Sequence, residues 1–427
     1  MKRFPPTGFA ENSHGIWTRR AVIAAGAGLA AMPAAAQMDN KPGVHPLWPM
    51  SGPPVLRGAV IAQRRRRQGV DGETFGGGGP VLPSYGASDF DALVRAGANL
   101  VVMSFPELWT VAKPWKPDPV MAVTLYRQIE LAKAAGLNVI VALRSGPGRS
   151  DFVFHRDAAG TWFPANLIVD SIWTDAEAQA AWAEMCVDIA KGLSGRKEIA
   201  GLNIMVEPDP NVSGTNKAGQ RLGAWTPAEY QRDVSDISDW RRMSGSIAQK
   251  VRAAVPALPI LISPPAFART DFLTVMGQPP VKGTVWCVHD YEPRDYTHSP
   301  EASRGIPVFG EGGNNTFATR LDAAKKQGAP VFLGEFGAAR WLGDNGKYYR
   351  ARIAACEQRG VGWAAFRWPT GDAAYEASDD MFNLGWGRSP GREDGAALPI
   401  LREAWAMNVS RSAAGLRGRG ALRGRKD

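Results

Sequence analysis

Cysteine and histidine are scarce: the 427-residue chain has three of the first and five of the second. Three cysteines cannot staple a chain of this length, and none forms a CxxC pair, which excludes a disulfide scaffold and a thiol-redox site. Cys186, Cys287 and Cys356 fall in separate predicted elements and read as small buried apolar residues. His45, His155, His289 and His298 are widely spaced and no HExxH occurs, so neither a metal site nor a cofactor is expected. No GxSxG elbow is present. No Gly-Lys-Ser/Thr follows the Gly76–Gly79 run, which reads as a rim loop and not a phosphate cradle. No apolar run reaches the ~20 residues that span a bilayer, so no integral membrane span is expected.

Net charge is +9, but little of it belongs to the middle of the chain. Residues 1–36 carry +3, from Lys2, Arg3, Arg19 and Arg20 against Glu11. Residues 411–427 carry +5, which leaves +1 between the two ends. A nucleic-acid binder needs its positive charge on the folded face that meets phosphate, so no nucleic-acid partner is expected. Thr18-Arg19-Arg20 opens a short Ala- and Gly-rich apolar stretch, and Ala34-Ala35-Ala36 follows. That three-part pattern predicts a twin-arginine-type signal peptide over 1–36, and hence a periplasmic or secreted protein. Residues 37–54 read as an N-terminal extension, 55–409 as one domain, and 410–427 as a basic disordered tail.

The middle is 44% hydrophobic and 21% charged by whole-chain composition, enough to build a sizeable core. Short β-branched runs alternate with longer helix-patterned segments, the pattern of a parallel sheet. Eight strands are predicted: Leu56–Ala62, Asn99–Met103, Asn138–Leu143, Ile199–Val206, Pro259–Ser263, Thr284–His289, Val331–Gly334 and Val361–Phe366. Thr174-Asp-Ala-Glu177 and Thr226-Pro-Ala-Glu229 read as capping boxes. Eight such units predict a single-domain α/β fold, a closed (β/α)8 TIM barrel.

Catalytic residues of such a barrel come from the carboxyl ends of its strands. The fourth strand runs into Glu207-Pro208 and the seventh into Glu335-Phe-Gly337. Strands four and seven lie on roughly opposite sides, so the two carboxylates face each other across the mouth. Retaining glycoside hydrolysis needs that pair: one carboxylate attacks the sugar carbon and the other protonates the leaving oxygen. His289 and Tyr291 are two apart at the end of the sixth strand and share a face. A phenol there can donate to a nucleophilic carboxylate, and an imidazole can orient the acid. Trp368, ending the eighth strand, can floor a sugar site. Among other loop tryptophans, Trp109, Trp115, Trp162, Trp173, Trp225, Trp341 and Trp386 could stack on sugars or pack under loops. Glu376, Asp379 and Asp380 read as a solvated acidic loop.

Taken in order, Glu-Pro on strand four, His-x-Tyr on six, Gly-Glu-Phe-Gly on seven and Trp on eight resemble glycoside hydrolase family 5. Leu56-Arg57-Gly58 at the start of strand one fits the same pattern. The resemblance covers roughly residues 55–370 and implies a cellulase-like retaining β-glycosidase acting as a monomer on an oligo- or polysaccharide. It makes Glu207 the general acid/base, Glu335 the nucleophile, His289 and Tyr291 their support, and Trp368 an aromatic platform. The chain departs from the family at Val206, where Asn usually precedes the acid/base; Asn203 or Asn211 would have to supply the 2-hydroxyl contact. It also lacks the usual Arg after strand two and His after strand three, and Arg144 is the candidate to take over a neighbouring role. These departures imply a divergent member. They also keep an alternative open, a non-catalytic carbohydrate-binding protein on a degenerate barrel.

Overall fold

The computed structural model describes residues 45–71, 81–300, 309–371 and 381–420. The predicted signal peptide, the Gly76–Gly79 run and the acidic loop with Glu376, Asp379 and Asp380 lie outside the described residues, as do residues 421–427. Eight parallel strands close into a barrel. They are β1 (Arg57–Ala62), β2 (Leu100–Phe105), β3 (Asn138–Leu143), β4 (Ile199–Asn203), β5 (Ile260–Ile262), β6 (Thr284–Asp290), β7 (Val331–Phe336) and β8 (Gly362–Phe366). Closure is made by β1 on β8, with Arg57 opposite Trp363 and Val60 opposite Phe366. The expected (β/α)8 barrel is thus the fold.

Both faces of the sheet are covered, which is why the strands read as unbroken apolar runs. Val60, Leu100, Val102, Ile140, Leu261 and Phe332 fill the interior. Trp48, from the segment before β1, closes this interior cluster: its indole N–H donates to the Ala200 carbonyl at 2.8 Å and its ring meets Phe332 edge-on. The outer layer packs strands against α1 (Ala87–Arg95), α2 (Pro119–Ala135), α3 (Ala176–Leu193), α4 (Trp240–Ala254), α5 (Glu311–Ala324), α6 (Asn345–Arg359) and α7 (Ala397–Gly420).

The helix starts follow their caps. Thr226 forms the expected box with Glu229 ahead of the short helix Pro227–Asp233. At α3 the cap lies one residue later than predicted: the Asp175 carboxylate accepts the Glu177 and Ala178 N–H groups, and Thr174 does not cap. An ionised acceptor at the positive end of the helix outcompetes the neighbouring hydroxyl. Between β5 and β6 the chain makes only short turns, Pro265–Ala268 and Thr270–Val275, in place of a long helix. At the other end, α7 continues to Gly420, so the segment from 410 that reads as a tail begins inside this helix.

Strand ends differ from prediction in ways that matter for the site. β4 stops at Asn203, and residues 204–206 continue beside it through Ile204 N–H to Leu261 and Val206 N–H to Leu143. β7 runs two residues further than predicted, so Glu335 lies within the strand, paired in register with His289 of β6.

Candidate active site

Glu207, Glu335, His289 and Tyr291 converge at the carboxyl end of the barrel. One carboxylate oxygen each from Glu207 and Glu335, with a ring nitrogen of His289, all lie within 4.8 Å of one another. The His289 Nδ1 is 2.9 Å from Glu207 Oε1 and 3.5 Å from Glu335 Oε2. The Tyr291 hydroxyl donates to Glu335 Oε2 at 3.1 Å. Glu335 is buried, whereas Glu207 keeps 16% of its side chain exposed, so Glu207 is the carboxylate nearer solvent.

Close approach of β6 and β7 demands a glycine before Glu335. A Cβ on Gly334 would sit 2.5 Å from Cys287 Sγ and 3.1 Å from His289 Nε2. Glu207 is set differently: it turns off the end of the fourth strand with φ of 46°, in the left-handed region that non-glycine residues rarely occupy.

The electrostatics follow from burying these groups together. Burial alone works against a charge on His289, but Glu335, a Cys287 hydrogen bond and Glu207 outweigh it and raise the imidazole well above its ordinary value. The two carboxylates thus favour the charged form of the ring. Burial raises Glu335 above the usual glutamate range; His289 pulls it back, Glu207 pushes it up, and Arg144 and the Tyr291 hydroxyl pull it down. Tyr291 itself is pushed well up, by burial first and then by both carboxylates, so it stays a donor. Among the described residues, this trio is the group whose ligand atoms could also meet on one cation. Spacing along the chain does not reveal it, because the fold and not the sequence brings the three together.

Arg144 directly follows β3. Its Nε donates to Asp151 at 2.5 Å and its guanidinium sits 4.2 Å from the centre of the Phe154 ring. Burial opposes its charge, yet Asp151, Glu335 and Glu207 raise it above the ordinary arginine value. It thus supplies positive charge to the pair from strand three, where the family's usual residues are missing.

Trp368 is not placed as a platform. It is 6% exposed, its N–H donates to the Asp89 carbonyl, and its ring packs edge-on against Trp405 of α7. The aromatic wall beside Glu335 is instead built from Tyr291, Phe366, Phe382 and His298, with ring centres 5.1–6.4 Å apart. Burial and then Arg294 push His298 down to about 4, so this ring is neutral. Asn203 lies in the barrel interior, its amide donating to Ser263 at 3.3 Å and to Cys287 at 3.6 Å, which makes it a support beneath the site and not a rim group. Asn211 is wholly buried in the turn Pro210–Ser213. Trp173 and Trp341 are buried with their N–H groups bonded, while Trp162 and Trp225 are exposed.

Two rim residues give no signal in the sequence. Glu107, after β2, is buried with φ of 51° and accepts from Arg67 at 2.5 Å. Arg149, in the loop after β3, is buried against the Glu207 turn. Isolated loop residues carry no periodic or motif signal, so only the folded loop shows their contacts.

No curated protein matches the chain in sequence. Solved structures do match in fold. The Clostridioides difficile cellulose synthase subunit Z aligns over 82% of this chain and 99% of its own, with 16% identity and a TM-score of 0.55. The endoglucanase Cel5A of Thermotoga maritima aligns over 75% and 89%, with 17% identity and a TM-score of 0.53. At such identities the likeness is one of fold. The family model "Cellulase (glycosyl hydrolase family 5)" matches residues 76–372, well over half of the sequence. With a closed barrel and two rim carboxylates on strands four and seven, the chain belongs to glycosyl hydrolase family 5.

Proposed function

We propose that this glycoside hydrolase is a retaining β-glycosidase. Glu335 attacks the anomeric carbon, forming a glycosyl-enzyme. Glu207 protonates the departing oxygen and then takes the proton from the water that releases the sugar. The observation that carries this reading is the separation of the two carboxylates, within 4.8 Å oxygen to oxygen. Direct attack goes with carboxyl groups about 5–5.5 Å apart and inversion with a gap of about 6.5–9.5 Å that admits a water, and so short a nearest-oxygen approach favours the first. Tyr291 and Arg144 favour the ionised Glu335 that attack requires. The greater exposure of Glu207 fits a group that exchanges its proton with an incoming water.

The substrate we favour is a β-1,4-glucan or its oligosaccharides, with mannan or a modified glucoside next; the cellulase family model supports the first. Export to the periplasm or beyond fits a polymeric substrate and is supported by the twin-arginine pattern at Arg19-Arg20. A protein that binds sugar without cleaving it would not need a proton-coupled carboxylate pair, so hydrolysis is the better-supported reading.

The test is Glu335→Ala, assayed on aryl β-glycosides. Loss of nearly all turnover is expected, with azide restoring it and yielding an α-glycosyl azide. Unchanged turnover removes Glu335 as nucleophile, and a β-azide product from the variant removes the assignment of attack to that face.

A further inference from the structure

We propose that Arg149 is the positioning residue of the acid/base: its guanidinium grips the backbone turn that aims Glu207 at the leaving oxygen. The proposal rests on the glycosidase reading above. It begins from an anomaly. Glu207 sits at φ of 46°, a conformation that a non-glycine residue keeps only when its surroundings hold it there.

The surroundings are specific. One Arg149 nitrogen, Nη1, donates to the carbonyls of Arg144 at 3.0 Å and Val206 at 2.8 Å. The other, Nη2, donates to the Glu207 carbonyl at 2.7 Å and to the Asp209 carboxylate at 3.2 Å. The fork thus spans the residue before the acid/base, the acid/base itself and the second residue after it. Neither Arg149 nor Asp209 is exposed at all. Asp209 is fixed in turn by the Trp173 indole N–H at 3.2 Å and by Arg156 at 3.3 Å. From the opposite side the Phe267 N–H donates to the Pro208 carbonyl at 3.1 Å. Phe267 is itself in the left-handed region, between Ala266 and Ala268, which are as well.

Burying an ion pair costs desolvation that a loop closure alone does not require. Several backbone carbonyls at fixed positions do require a rigid planar fork, which arginine supplies and lysine does not. If the fork is lost, the turn is free to relax toward ordinary φ. That moves the Glu207 carboxyl away from its 2.9 Å contact with His289 and out of line with the leaving oxygen. Proton transfer needs heavy atoms about 2.6–3.2 Å apart, so protonation of the leaving group is the step that suffers.

The experiment uses the full chain with Arg149→Lys, which keeps a cation opposite Asp209. Two aryl β-glycosides are compared, phenyl and 2,4-dinitrophenyl. The dinitrophenolate departs without acid help, and the phenolate does not. We expect kcat/KM on the phenyl glycoside to fall by at least ~10-fold, within the ~100- to 10,000-fold that acid–base catalysis contributes. On the dinitrophenyl glycoside it should change by less than about 3-fold. Azide, which needs no base to attack, should raise kcat of the variant on that substrate. Asp209→Asn, which loosens the fork from its counter-charge, should show the same asymmetry and carries the test if Arg149→Lys does not fold. Equal losses on both substrates, or no loss on either, overturn the proposal. A wild-type chain inert on both overturns the glycosidase reading itself.

Discussion

Two carboxylates and an imidazole lie within 4.8 Å of one another, so the charge of each acts on the others. His289 is raised well above 6.5 by its two acidic neighbours despite burial, which favours the charged ring. Its charge acts on Glu335 in the opposite direction, lowering a carboxyl group that burial and Glu207 raise. In the proposed mechanism Glu335 must be ionised to attack, so activity is gained as pH rises through the acid limb of the pair. Replacing His289 by Asn removes the positive charge, and Glu335 then ionises only at higher pH. The acid limb of kcat/KM should move upward, and a pH profile that stays in place refutes the assignment of charge to His289. Tyr291→Phe removes one hydrogen bond to a charged group, worth about 1.5–3 kcal/mol. We expect kcat to fall about 10- to 100-fold with an unchanged melting temperature, since the hydroxyl bonds to Glu335; a large drop in melting temperature instead would mark it as structural. These four side chains are legible in the sequence because each lies in or just beyond the carboxyl end of an apolar run, which the barrel turns into its rim. Trp368 is legible only as an indole at a strand end. Whether it faces sugar or core is decided by Trp405, which a separate helix brings against it.

Among the elements, short-range chemistry fixes the ends and long-range contact fixes the rest. The start of α3 separates the two. The sequence reads as a capping box led by Thr174, and the folded chain instead uses the Asp175 carboxylate on two N–H groups, at 2.8 and 3.3 Å. Asp175→Ala should cost about 1 kcal/mol, in the 0.5–2 kcal/mol range of lost caps. Thr174→Ala should cost less than about 0.5 kcal/mol, as a residue outside the cap does. Urea melts of the two variants check the order, and a larger loss at Thr174 reverses it. Strand ends are ambiguous in the same way. β7 extends through Glu335 because β6 offers a partner at His289, and no local propensity reports that pairing. The turn Ala266–Ala268 is left-handed throughout, which no sequence of Ala and Phe announces. Its reason is external, the Pro208 carbonyl it meets.

For the barrel as a whole, the alternation of apolar runs was enough to read the architecture, since a parallel sheet covered on both faces leaves that trace. How the barrel is locked shut was not readable, because the lock joins residues hundreds of positions apart. Arg57 opens β1 at the end of the barrel opposite Glu207 and Glu335 and is wholly buried. It donates in a fork to both oxygens of Glu357 of α6, at 2.6 and 2.7 Å, and to Asn408 of α7 at 3.1 Å. β1, α6 and α7 are thereby joined at the seam where β1 meets β8. Trp363 of β8 adds its N–H to the same Glu357 at 3.0 Å, so one carboxylate serves both sides of the closure. Arg57→Met deletes the cation and leaves Glu357, still 19% exposed, with the indole alone. Breaking a buried pair costs about 3–5 kcal/mol, and the residual exposure of Glu357 puts the expected loss at the low end, about 3 kcal/mol. The double variant Arg57→Met/Glu357→Gln should lose less than the single one, because no uncompensated charge remains. At a temperature where both variants are folded, kcat should match the wild type, as the lock and the carboxylates occupy opposite ends of the strands. Thermal melts paired with turnover on one aryl glycoside separate the outcomes. A single variant that melts like the wild type would show that closure does not depend on this lock, and a folded variant with lowered kcat would show that the two ends of the barrel are coupled.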